Sequence, residues 1–158
     1  MARATAKTPT SSSSATRHED DVYTWVQEQV ALLRAGRLAE VDADNIAEEL
    51  ADVGNEQRDK LESAFAVLSL HLLKWDYQPE RRSRSWEATI REQRRRIERV
   101  LKRNPGLKSL RAEAMAEGYA DGRDRAVAET GFGYDVFPEV CPYAFDDLMG
   151  REIVFAGA

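Results

Sequence analysis

The sequence predicts an all-α fold, a single-domain bundle of about five helices in hairpins, closed by an aromatic-rich C-terminal strap and a short terminal helix. Three observations carry this reading. Apolar residues recur at helical spacing along most of the chain, helix formers (Ala, Leu, Glu, Arg) dominate, and clear strand runs are missing. At 158 residues there is room for one core of ordinary size. The expected layout is a disordered tail over residues 1–18, a helical domain over 19–150 and a C-terminal tail over 151–158.

Residues 1–18 cannot bury apolar area, because beyond Met1 their only apolar side chains are alanines. They lack the apolar segment of a secretory signal. Their Arg, Ser and Thr content superficially suits a transit peptide, but composition favours a plain tail. The first helix is expected near Glu19, where Glu19, Asp20 and Asp21 meet the positive end of the helix dipole. Val22, Trp25, Val26, Gln29 and Leu33 share its face, and Gly36 stops it. Asp42 or Asp44 can cap a second helix, with Ile46, Glu49, Leu50 and Val53 on one face; Gly54 then ends, bends or weakens it. A third run from Asn55 carries Leu61, Phe65, Leu68, Leu72 and Trp75 on a stripe widened by Val67, Leu70 and Leu73. So wide a stripe predicts the central helix, and Pro79 forbids simple continuation.

Ser83 or Ser85 can cap the fourth helix, whose stripe is Trp86, Ile90, Gln93, Ile97, Val100 and Leu101. Asn104-Pro105-Gly106 ends it with strong turn chemistry. The fifth helix is expected from about Leu107 to Thr130, with Gly131 as its stop. On it Ala114, Gly118, Gly122 and Ala126 recur every four residues, a groove that another helix can approach closely. Close packing inside the protomer is the favoured use of that groove; a two-fold contact in a homodimer is the alternative. The segment DVFPEVCPYAFDDLM reads as the strap, ending in a short helix near Tyr143–Met149.

With the elements laid out, DDVYTWVQEQVALLRAGR, NIAEEL, HLLKW, QPERRSRSW, TIREQRRRIERVL and FPEVCPY line up in a familiar order. Together they resemble a bacterial family of uncharacterised proteins, the domain-of-unknown-function family numbered 29, from roughly Asp20 to Leu148. Each motif alone is weak and the set is specific. The resemblance implies an all-helical fold and supplies no activity and no catalytic residues.

Polar residues lodged in apolar stripes are the sharpest chemical oddity. Glu49, His71, Lys74 and Gln93 all sit on such stripes, and burying them unpaired would cost several kcal/mol each. They are therefore expected to bond one another inside the bundle. A network that fixes helix register is favoured over a pocket for a small ligand. A metal centre would have to draw on Glu48, Glu49, Glu56 and His71, and the Glu-x-x-His pair of bundle metal sites is absent, since Leu68 precedes His71 by three. Cys141, flanked by Val140 and Pro142, has no local base and reads as a small buried hydrophobe. As the one cysteine, it excludes an intrachain disulfide and fits a reducing compartment. No phosphate loop or other cofactor motif is present, since GYADGRD fits neither common spacing. No apolar run approaches the ~20 residues of a membrane span, so a cytoplasmic protein is the default.

Charge is strongly patterned. Arg81 to Arg103 carries a net charge of +7, while Glu19 to Glu62 carries −9 within a chain of net −5. Glu87–Arg91, Glu92–Arg96 and Glu98–Lys102 are spaced four apart in the favoured order, so a solvated face or internal pairing is the leading reading. Arg91, Arg95, Arg99 and Lys102 form one narrow stripe and the candidate interaction surface. The first functional expectation is a non-enzymatic protein-interaction module acting through the Arg-rich helix or the strap. The alternative is an enzyme or small-ligand binder built on the polar cluster. A nucleic-acid-associated regulator using the helix over 83–103 stands third, because the overall acidic charge opposes it.

Overall fold

The computed structural model describes residues 15–155. Most of the expected N-terminal tail, and the last three residues, lie outside that span. Five α-helices run in the order α1 (Val22–Arg34), α2 (Ala43–Tyr77), α3 (Arg84–Arg103), α4 (Arg111–Thr130) and α5 (Phe145–Gly150). No strand occurs among the described residues. Short 3-10 turns at Leu38–Glu40, Pro79–Arg81 and Pro105–Leu110 join the first four. The chain divides into two compact units between Ala51 and Asp52.

The second and third expected helices are one. The 35-residue α2 passes through Gly54, around which a Cβ would meet nothing within 4 Å. Gly54 therefore serves no turn and no close approach. Its cost is the ordinary ~1 kcal/mol of a helical glycine, which does not break so long a helix.

In the first unit, Asp21 caps α1, accepting from the Thr24 amide at 3.0 Å and the Thr24 hydroxyl at 2.6 Å. Gly36 follows the helix with φ +68, a left-handed conformation in which glycine carries no Cβ penalty. Asp42 links α1 to the start of α2. Its carboxylate accepts from Trp25 Nε1 at 3.2 Å and from Asn45 Nδ2 at 2.7 Å, and its amide donates to Gln29 Oε1 at 2.8 Å. Thr16 and His18, at the end of the expected tail, are tied down. Thr16 donates twice to Glu28 at 2.9 Å, and His18 Nε2 lies 2.7 Å from Glu49 Oε1 with its ring edge-on to Trp25. Counting apolar residues misses such an anchor, because both partners are carboxylates.

The second unit is an up-down-up arrangement. α3 returns along α2, with Lys74 Nζ over the Trp86 ring near the bend and Gln57 beside Asn104 at the far end. α4 then runs parallel to α2. Two ion pairs fix that direction, Arg58–Glu113 at 2.9 Å and Lys74–Glu129 at 2.5 Å. Between them the small-residue groove receives α2. A Cβ on Gly118 would lie 2.7 Å from the Glu62 carbonyl oxygen, and one on Gly122 would lie 2.6 Å from that of Ala66. Ala114, Gly118, Gly122 and Ala126 are all buried, so the favoured close packing inside the protomer is what this groove makes.

The central stripe is as expected: Leu61, Phe65, Leu68 and Leu72 are fully inaccessible, and Trp75 nearly so. They pack with Ile90, Ile97 and Leu101 of α3, and with Leu148 and Ile153. A second cluster joins Leu70 and Leu73 to Tyr119, Ala126 and Phe137. Phe137 belongs to the strap, which α4 fastens by hydrogen bonds to its backbone. Tyr119 donates to the Pro138 carbonyl at 2.6 Å, and Arg123 donates to the carbonyls of Phe137 and Tyr134. The expected C-terminal tail is held as far as residue 155. Arg151 forks onto Asp76, Ile153 is buried, and the Phe155 amide donates to Glu87 at 3.2 Å.

Candidate functional site

The expected polar cluster does not assemble. Glu49 and His71 share one helix, on which positions 49 and 71 are about six turns apart, so they cannot be packing partners. Glu49 pairs with His18. His71 Nδ1 lies 2.9 Å from the Val67 carbonyl oxygen, which makes Nδ1 the protonated nitrogen. Burial pulls the His71 pKa below the ordinary imidazole value; the neighbouring Lys74 charge acts the same way, while the Val67 bond and Glu129 oppose it. Lys74 is committed to Glu129 and to the Trp86 face. Gln93 is buried, and its Oε1 has no hydrogen-bond partner among the described residues. No hydrogen bond among the described residues joins any two of Glu49, His71, Lys74 and Gln93.

The other chemical candidates are also dispersed. Among the described residues no three His, Cys, Asp or Glu side chains stand close enough to hold a metal ion. Burial pushes the Cys141 thiol up, away from the thiolate a nucleophile needs, and Sγ lies 3.7 Å from the Tyr143 carbonyl oxygen. Burial likewise pushes the Tyr119 phenol up to about 12.

The basic helix is where sequence and structure meet. Arg91, Arg95, Arg99 and Lys102 all lie on its exposed face. Arg91 is taken by Glu87 on the same helix, whereas Arg95, Arg99 and Lys102 form no ion pair among the described residues. The pairs Glu92–Arg96 and Glu98–Lys102 are not among the ion pairs of the described residues. Arg94 leaves the cluster altogether and turns inward, donating to the carbonyls of Leu148 at 2.7 Å and Arg151 at 2.9 Å. Sequence reasoning missed this, because carbonyl acceptors more than fifty residues away leave no local signal.

The exposed stripe runs into a groove of about 480 Å³ at the far end of α3. Its apolar lining is Leu101, Pro105 and Phe145; its cations are Lys102, Lys108 and Arg111. The Arg111 guanidinium stacks over the Phe145 ring at 4.0 Å, which holds it without neutralising it. Glu98 is the one carboxylate in the lining, and none of the three cations is in an ion pair among the described residues. Lys108 and Arg111, absent from the sequence-based candidate surface, are contributed by the turn after Asn104 and by the first residue of α4.

The chain belongs to the family described as Domain of unknown function DUF29, whose model matches residues 18–154. No curated protein and no solved structure matches it. No helix among the described residues is long and apolar enough to cross a membrane.

Proposed function

We propose that this protein is a non-enzymatic interaction module that takes an acidic peptide segment of another protein in the groove between the end of α3 and Phe145. The observation that supports the reading is a line of exposed cations, Arg95, Arg99, Lys102, Lys108 and Arg111, that form no ion pair among the described residues and lead onto an apolar floor in a chain of net charge −5. Carboxylates would meet the stripe, and one apolar side chain would seat on Leu101, Pro105 and Phe145. Nucleic acid fits less well. With Arg94 turned inward and Arg91 paired, the stripe is short, and an apolar floor adds nothing to phosphate tracking.

Fluorescence anisotropy with a labelled glutamate-rich peptide carrying one central phenylalanine tests the reading. Binding is expected to fall with salt and to weaken about tenfold or more in the Lys108→Glu, Arg111→Glu double variant. No binding, or binding indifferent to the double variant, would refute it. Tight duplex DNA binding lost on Arg95→Glu would favour the nucleic-acid reading instead.

A further inference from the structure

The first unit carries a surface of opposite character. Val26, Val30 and Leu33 of α1 and Ile46 and Leu50 at the start of α2 line an open groove of about 230 Å³ that is almost wholly apolar. Leu33 is 46% exposed and Leu50 is 66% exposed. Isolated exposed leucines are ordinary, but these line one groove between two helices, where a third helix of a bundle would lie. Because α1 has 13 residues, the groove accommodates about three to four turns of a guest helix.

Charge selects the guest. Residues 15–51 hold nine carboxylates against Arg17, Arg34 and Arg37, and Arg17 and Arg37 are already paired with Glu19 and Glu40. Glu49 stands in the groove wall itself, half-exposed even while it holds His18. A second copy docking by this face would set two such acidic hairpins against each other, and an anionic lipid surface would be repelled in the same way. We infer that the groove of the α1–α2 hairpin is a second docking site, for a basic amphipathic helix of a protein partner. Apolar positions at i, i+3, i+4 and i+7 would fill the groove, and lysines or arginines on its borders would meet the carboxylates. This inference uses none of the residues of the α3 groove and stands apart from it.

The probe is a leucine–lysine peptide of about four amphipathic turns, titrated into the full-length protein by calorimetry, with a leucine–glutamate peptide of the same pattern beside it. Leu33→Asn and Leu50→Asn are exposed enough to leave the fold intact, which circular dichroism checks. Each is expected to weaken the leucine–lysine peptide about tenfold, and raised salt should weaken it further. Lys108→Glu should leave its affinity unchanged. Three results would each overturn the inference: no binding of the leucine–lysine peptide, binding unaffected by both asparagine variants, or an equal affinity of the leucine–glutamate peptide that the same variants abolish. Self-association of the wild type that is lost in those variants would also overturn it, by making a second copy the occupant.

Discussion

Helical glycines of this chain look alike in sequence and differ completely in their surroundings. A Cβ on Gly118 would sit 2.5 Å from Phe65 Cβ and one on Gly122 2.8 Å from Ser69 Cβ, whereas one on Gly54 would meet nothing within 4 Å. Gly118→Ala is therefore expected to cost roughly 1–3 kcal/mol by forcing α2 and α4 apart. Gly54→Ala is expected to gain about 0.5–1 kcal/mol, because alanine loses less backbone entropy in a helix. Urea unfolding of the two variants gives both signs, and a shared sign would contradict the packing described. The four-residue spacing from Ala114 to Ala126 made the groove legible, since a repeat on one face has a direct geometric meaning. Gly54 stands alone, and a single glycine does not reveal whether it breaks a helix or merely sits in one.

Among the elements, α2 supplies more of the interior of the second unit than any other. Leu68 is fully buried at its centre, so Leu68→Ala is expected to destabilise by roughly 2–5 kcal/mol. A thermal melt within a degree or two of wild type would contradict that placement. The stripe from Leu61 to Trp75 was legible because burial on one helix face follows from apolar spacing alone. The polar cluster was not, for a reason also at this scale. Counting the runs on either side of Gly54 as two helices allowed Glu49 and His71 to face each other, and a continuous α2 puts them turns apart on the same one. The basic stripe was half legible: Arg95, Arg99 and Lys102 stay outside, but the cations that complete the groove, Lys108 and Arg111, come from the 3-10 turn and the first residue of α4.

For the molecule as a whole, acidity is expected to weaken the fold, with His71 acting first. Its folded pKa is lowered by burial, so the unfolded chain takes up a proton below about pH 6.5 that the folded chain resists. Stability from this group is thus complete above that pH and declines as pH falls towards the folded value. Asp21, Glu40 and Asp42, whose carboxyls are held below the usual range by Thr24, Arg37 and Asn45, add a further loss only at more acid pH. Melting temperature should fall between about pH 7.5 and about pH 5.5 in the wild type, and fall less in His71→Gln. Equal slopes for the two proteins would show that His71 titrates as freely folded as unfolded.

The parallel contact of α2 with α4 bears on how one alignment is chosen over its near copies. A ladder of small residues at a fixed interval is its own translation: displaced by one turn, most of its rungs find the same backbone again. Shape alone would leave the two helices able to ratchet. The ion pairs at either end remove that freedom. Sliding α4 one way would bring Arg125 against Lys74 and Ser109 against Arg58, trading two attractions for a repulsion and a neutral contact. Sliding it the other way would keep an acid, Glu117, opposite Arg58 but bring Gly133, beyond the end of the helix, to Lys74. The glycines set how near the helices come, and the charges set where along each other they stop.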